Sequence, residues 1–207
     1  MLSNNAYVDS VNTRWEYIGA NGTDEAAIIQ LGNDGEFLVR TAPAGAADEE
    51  ITWTTRMTVA NDGIITKPAQ PAFQAHLSGN QDDVAINGSV KVLFDTETFD
   101  VSADFNTTTN TFTAPVTGKY VLGFTLAVNA PDAAAGFYQF YLATSNRTYT
   151  QTNTIAGTTD PTYWTFTYSI VADMDAADTA LVNLYQNVGS AQMDIRVESE
   201  FYGYLLG

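Results

Sequence analysis

The 207 residues suffice for one ordinary domain and a smaller appendage. Twenty-four acidic against 8 basic residues give a formal charge of −16, which argues against binding nucleic acid or anionic lipid through charge and favours solubility. The chain has no cysteine, which excludes disulfides and thiolate metal sites and leaves burial and assembly as the sources of stability. Hydrophobic residues at 45% predict a packed core, and aromatic residues at 12%, with abundant Thr and Val, favour strands. No segment keeps an apolar helical face over several turns. Neither a membrane-spanning run nor a signal peptide is read at MLSNNAYVDS, so no membrane insertion is expected.

Residues 1–66 read as a separate β-rich segment. Ala26 to Leu31 and Glu36 to Arg40 flank Asn33-Asp34-Gly35, a hairpin signal. Ile51, Trp53, Thr55, Met57 and Val59 alternate as one strand, with Asn61-Asp62-Gly63 turning it into Ile64-Ile65. Ala42 to Glu50 reads as an exposed loop. Isolated ribbons of this size are marginal in water, so they need partners, and three copies around a common axis would form a stalk or collar. GNDGEFLVRTAPAG followed by ITWTTRMTVANDGIIT resembles segments of bacteriophage tail-fibre proteins that precede a carboxy-terminal tip. Residues 67–71, with Pro68 and Pro71, form a short, stiff connector.

From residue 72 to 207 the pattern is that of short strands. Tyr120, Leu122, Phe124, Leu126 and Val128 are apolar at every second position, with Val121, Gly123 and Thr125 on the other face, which predicts a strand deep in a sandwich. Upstream, Phe105 and Phe112 bracket the polar turn Asn106 to Thr111. Downstream, Tyr138, Phe140 and Leu142 alternate, as do Trp164, Phe166, Tyr168 and Ile170 after a loop from Gln151 to Tyr163. Ala172 to Asp178 reads as an acidic turn. Val182 and Leu184, then Ile195, Val197, Ser199 and Phe201, complete the last two strands. Many short strands separated by turn signals predict an all-β antiparallel sandwich.

The spacing of Phe94, Asp100, Phe105, Phe112, Gly118, Tyr120, Leu122 and Phe124 resembles the signature of the globular head domain of complement component 1q, with Leu122 standing where that pattern has Phe. Pro71 to Ser78 is similar to that family's first strand, and Phe201 to Leu206 to its last. The resemblance implies a jelly roll of about ten strands, related to tumour necrosis factor, that assembles as a homotrimer and binds partners without turning over substrate. It also implies calcium near the top of the trimer. Asp160, in Asp160-Pro161-Thr162-Tyr163-Trp164, is the position to carry over, with a plain turn aspartate as the alternative and Pro161 departing from the family residue. The collagen repeat of animal members is absent.

Chemistry beyond binding finds little support. His76 is the only histidine, so neither a nucleophilic triad nor an ordinary zinc site can be assembled in one chain. Asp82-Asp83, Asp173, Asp175 and Asp178 read as solvated turn positions outside any hydrolase motif. Asn21, Asn87, Asn106 and Asn146 begin Asn-X-Ser/Thr triplets that turn chemistry explains better than glycosylation. Most aromatic residues are expected in the core or at subunit interfaces, with Tyr149, Tyr163 and Trp164 as the candidates for stacking on sugars.

The expected protein is thus a non-enzymatic binding protein of a virus particle, the receptor-binding tip of a phage tail fibre. No cofactor is required, and calcium is the one candidate. Its partners would be two further copies of itself, a host cell-surface glycan or protein, and other virion proteins through residues 1–66. Contacts would come from the loops Ala130 to Gly136, Thr144 to Tyr163 and Ala172 to Asp178, with Asp132, Tyr149, Asp160, Tyr163, Asp173 and Asp175 as candidate residues. A capsid decoration or fibre-joining role, and a polysaccharide-degrading tail spike, are the alternatives.

Overall fold

A computed structural model describes residues 2–19 and 22–206; Asn21, which begins one of the Asn-X-Ser/Thr triplets, lies outside the described residues. Two compact units, Met1–Ala69 and Gln70–Gly207, divide the chain, and the described secondary structure is all β.

The amino-terminal unit holds β1 (Leu2–Asn4), β2 (Ala6–Val8), β3 (Trp15–Tyr17), β4 (Ala26–Leu31), β5 (Phe37–Ala42), β6 (Thr54–Val59) and β7 (Ile65–Thr66). Both expected hairpins form, β4–β5 around Asp34-Gly35 and β6–β7 around Asp62-Gly63, and β1 extends them to the sheet order β1-β4-β5-β6-β7. A small core of Ala6, Tyr17, Ala26, Ala42 and Ile51, with Trp15 and Trp53 edge to face at 5.9 Å, fills one side. The buried Glu16 carboxylate accepts hydrogen bonds from Tyr7 Oη at 2.6 Å and Arg14 Nε at 2.7 Å, and these two bonds hold it below the usual carboxylate range. One reading needs correction: residues 51–59 are not a single alternating strand. Val39 pairs Met57 whereas Arg40 pairs Thr55, so Arg56 is a bulge. An extra residue reverses the alternation, sending Ile51 and Trp53 to the core side and Met57 and Val59 to the other face.

The carboxy-terminal unit is a sandwich of two antiparallel sheets. Its strands are β8 (Ala72–His76), β9 (Ser89–Lys91), β10 (Thr96–Val101), β11 (Phe105–Asn106), β12 (Thr111–Thr113), β13 (Gly118–Asn129), β14 (Phe137–Thr144), β15 (Thr148–Asn153), β16 (Tyr163–Met174), β17 (Thr179–Asn187), β18 (Asp194–Ile195) and β19 (Glu200–Leu205). One sheet runs β10-β8-β19-β13-β16, with β18 on β13; the other runs β11-β12-β17-β14-β15, with β9 on β17. Non-consecutive neighbours within two stacked sheets are the jelly-roll pattern.

Alternation places the core. Tyr120, Leu122, Phe124, Leu126 and Val128 from β13 meet Tyr138, Phe140 and Leu142 from β14, all at most 1% exposed. Phe73 stacks on Phe105 at 5.1 Å and on Phe112 at 4.7 Å, while Phe201 meets it edge to face at 5.0 Å. Asp100 Oδ2 accepts the Phe105 backbone N–H at 2.9 Å, fixing the turn that feeds Phe105 into this cluster. Two stretches differ from expectation. The loop read between Thr144 and Tyr163 contains β15, an edge strand of sequence TYTQTN whose polar alternation gives no apolar signal. The last strand breaks at residues 196–199, where the Ser199 hydroxyl binds the Ala127 N–H and shares the Ala127 C=O with the Arg196 N–H.

Two stability predictions follow from the packing. A Cβ at Gly203 would lie 2.6 Å from Leu122 and 2.7 Å from Phe73, so Gly203→Ala is expected to destabilise the unit by about 1–3 kcal/mol, read as a lower denaturant midpoint. Asp100 Oδ1 and Asp104 Oδ2 are buried without partners, and burial, then the Asp100 charge, pushes the Asp104 carboxyl above its ordinary range. A raised acid is most favourable to the fold when protonated, so its contribution is full below the unfolded pKa and lost as pH rises through the folded value. Asp104→Asn should therefore melt higher than the natural chain at pH 7, with the advantage shrinking on acidification, as measured by calorimetry.

Candidate functional site

Strands β13 and β16 pair along their whole length, from Gly118–Met174 at one end to Asn129–Tyr163 at the other. Twelve residues of strand span roughly 40 Å, and this sorts the loops. Residues 145–147 and 175–178 gather at the first end; residues 130–136, 154–162 and 188–193 gather at the second. The candidate residues are split accordingly. Tyr149, Asp173 and Asp175 belong to one end, Asp132, Asp160 and Tyr163 to the other, so no single tip displays all three expected loops.

At the first end, Asn146, Arg147, Tyr149, Asp173 and Asp175 line a cleft of about 330 Å³. The Arg147 guanidinium sits 5.1 Å from the Tyr149 ring centroid, and Asp173 pairs with Lys119 at 2.6 Å in the open. Asp178 organises the end: its oxygens accept from the Ser145 hydroxyl at 2.7 Å, the Asn146 amide and the Asp175 N–H, which lowers its pKa. The Asn146 triplet, like those at Asn87 and Asn106, has its asparagine engaged in turn hydrogen bonds.

At the second end, Asp132 is a clamp and not an exposed contact residue. Its side chain is buried, and its oxygens accept the backbone N–H groups of Ala134 at 2.7 Å, Ala191 at 2.8 Å and Ser190. Burial alone would raise this carboxyl, but the three N–H groups outweigh it and hold the pKa down. The Tyr138 phenol, pushed up to about 12 by burial, donates to the Asp132 carbonyl at 2.9 Å. Loops 130–136 and 188–193 are thereby locked together. Asp160 lies next to them, exposed, with Oδ1 accepting the Ala133 N–H at 2.8 Å. Among the described residues no cluster of three or more His, Asp or Glu could hold a metal ion. One half-engaged carboxylate does not meet calcium's need for six to eight oxygens within one chain.

Beside this clamp is a second cleft, of about 480 Å³, where β16 begins. Tyr163 is 62% exposed and Trp164 43%. The Arg196 guanidinium sits 4.7 Å from the Tyr163 ring centroid and is gripped from the other side by Glu198, through Nε to Oε2 at 2.9 Å and Nη2 to Oε1. That fork holds the Glu198 carboxyl down at about 2 and raises Arg196 further. Sequence reasoning flagged Tyr163 and Trp164 but missed Arg196 and Glu198. The available signal was Arg196 as one of few cations in an acidic chain, two residues from a carboxylate in a stretch read as strand.

The globular domain of zebrafish complement 1qA protein is similar to the chain at 18% identity, covering 67% of this chain and 98% of that one with a TM-score of 0.49. No curated protein matches the chain's sequence. Residues 72–206 match the family described as C1q domain, and no catalytic family is indicated. Since that match spans well over half its length, the chain belongs to the C1q domain family.

Proposed function

We propose that the protein is a non-enzymatic, homotrimeric binding protein that serves as the receptor-binding tip of a phage tail fibre. The observation that carries the trimer is a difference between the two outer faces of the sandwich. Outside the β10-β8-β19-β13-β16 sheet, Val171, Val121, Tyr204, Ala72 and Val101 form one cross-strand row, and Gly123, Tyr202, Gln74 and Phe99 lie in the next. Val171, Tyr204 and Phe99 are exposed there. On the other sheet the outward residues of β15 are Thr148, Thr150 and Thr152; the apolar residues of that face, Phe137, Tyr141, Leu181 and Tyr185, are only half-exposed among Gln139, Asn183 and Asn187, and none stands out as Val171 and Tyr204 do. An apolar outer face seeks a partner, and a polar one is at ease in water. The amino-terminal unit repeats the argument. Leu2, Ile29, Val39 and Met57 make one row and Leu31, Phe37, Val59 and Ile65 another, with Leu2, Leu31 and Ile65 well exposed.

The virion setting rests on the likeness of residues 32–45 and 51–66 to tail-fibre segments, and on membership in a family of binding heads. Three copies per fibre multiply weak single-site contacts with a host glycan or protein into durable attachment. A fibre-joining role is the second reading, and the exposed apolar rows of residues 1–66 favour it, because they would equally take another virion chain.

Light scattering on the full chain is expected to give the mass of three 22.4 kDa chains. Val171→Asp, on the outer face, should shift that mass toward one chain without unfolding the sandwich; a solitary natural chain would remove the proposal. Fluorescently labelled protein should decorate whole bacteria of a susceptible strain, whereas capture of virion proteins without cell labelling would favour the joining role. Calcium at millimolar concentration should leave the melting temperature unchanged, and a saturable rise abolished by Asp160→Asn would instead assign a site shared between copies.

A further inference from the structure

The outer face of the β11-β12-β17-β14-β15 sheet, which the proposed trimer leaves open, pairs rings with amides. Across β14 and β17 the outward residues stand directly opposite one another as Phe137 with Asn187, Gln139 with Tyr185 and Tyr141 with Asn183. We propose that this track binds a linear neutral glycan, its sugars resting on the rings and read at their hydroxyls by the amides opposite. This rests on the reading of the chain as a binding protein for a host glycan, and names both the site and the ligand class.

The core does not need these rings. Tyr138, Phe140 and Leu142 of β14 and Val182 and Leu184 of β17 fill the inner side and are fully buried, whereas Phe137, Tyr141 and Tyr185 point the other way and are half-exposed. A sugar ring offers a C–H patch on its faces and hydroxyls around its rim. The first asks for aromatic surface, the second for donors and acceptors close beside it. Each cross-strand pair supplies both. Successive pairs lie two residues apart along the strands, roughly 7 Å, so the track repeats as a chain of sugars does. The Phe137 and Tyr185 ring centroids are 6.1 Å apart, with their planes tilted by 34°.

The polar groups are already placed and keep capacity for a ligand. Tyr141 Oη donates to Gln139 Oε1 at 2.5 Å, Gln139 Nε2 to Thr152 Oγ1 at 3.3 Å, and Asn187 Nδ2 to Tyr185 Oη at 3.5 Å. Tyr185 retains its own proton to donate, and among the described residues no hydrogen bond engages the Asn183 amide. Side chains held this way lose little freedom on binding.

Charge narrows the class. Among the described residues, the outward positions of β9, β11, β12, β14, β15 and β17 hold no carboxylate, in a chain of net charge −16. Their one cation, Lys91, has its ammonium on the Thr109 carbonyl at 2.9 Å. A cationic ligand meets no counter-charge on this face, and an anionic one is repelled by the rest of the chain. A neutral ligand suffers neither.

The full chain is titrated calorimetrically with maltohexaose, cellohexaose, mannohexaose and the hexamer of N-acetylglucosamine, with the matching monosaccharides and sialyllactose alongside. At least one hexamer is expected to bind saturably and more tightly than its monosaccharide, which can fill only one pair. Tyr185→Ala and Asn183→Ala should each weaken that binding about tenfold or more, a loss on the scale of one aromatic or hydrogen-bonding contact, with mass and melting temperature kept. Asn183→Ala removes no ring and keeps the test alive if Tyr185→Ala fails to fold.

No response to any hexamer, a response indifferent to both variants, a monosaccharide bound as tightly as its hexamer, or binding of sialyllactose alone would overturn the assignment. If the labelled chain decorates cells while every hexamer titration is flat, the assignment of this face falls and the adhesion reading stands. If a hexamer binds and both variants weaken it but no cells are labelled, the adhesion reading falls and the assignment of this face stands.

Discussion

Each sheet of a sandwich has two faces, and stacking disposes of only one of them. In the carboxy-terminal unit the inner faces are settled by Phe73, Phe105, Phe112 and Phe201 near one end and by Phe124, Phe140 and Phe166 farther along, where the last two rings approach to 4.2 Å. The outer faces are left to solvent or to another chain. That remaining freedom is where the two sheets part company: on one the outward rings are half-covered among threonines and amides, while on the other Val171, Tyr204 and Phe99 stand exposed. Burying such a face recovers about 25 cal/mol per Å² of apolar surface, which makes association a natural continuation of folding. With no disulfide available, it is also the main reserve of stability left to the chain.

The core was legible in the sequence for a simple reason. Strands buried on one face announce themselves by apolar residues at every second position; β13 and β14 do so without interruption, and β17 does so from Ala180 to Leu184 before the buried Gln186. Where the physical signal is different, the reading failed. β15 is held at the sheet edge by one neighbour and carries Thr, Gln and Asn, so nothing in its composition separates it from a loop. The Arg56 bulge is invisible because alternation in sequence assumes one residue on each side of the ladder, and a bulge breaks that assumption without changing residue types. Strand β1 was missed because three residues are too few to show a period.

The candidate site was legible only in part, since loops are placed by strand length and not by their own composition. Asp132 and Asp160 look alike as loop aspartates. One is sunk among backbone N–H groups and ties two loops together, while the other stands in solvent with one oxygen still uncommitted. The difference comes from residues 190 and 191, nearly sixty positions away, which deliver their N–H groups to Asp132 once β17 has brought the chain back. Glu198 and Arg196 raise the same difficulty in reverse. Their neighbours in sequence suggest a strand, but after the Arg196 N–H has bonded the Ala127 C=O the Ser199 hydroxyl binds both Ala127 backbone groups, and residues 197 and 198 leave the ladder.

These features bear on how a rigid protein can offer an adaptable surface. The clamp at Asp132 and the Ser199 bond to Ala127 fix the backbone on both sides of the cleft, so the residues at its mouth are held by neighbours that have no part in recognition. A change at Tyr163 or Thr165 then alters what the cleft touches without loosening what supports it. Loops carry recognition in many folds because insertions there cost little; here the supporting bonds reach from loop to strand backbone and do not run through the side chains at the mouth, which hold one another as Tyr163, Arg196 and Glu198 do. A binding protein that meets changing surfaces gains from this separation, because a substitution that redirects binding need not disturb the sandwich beneath it.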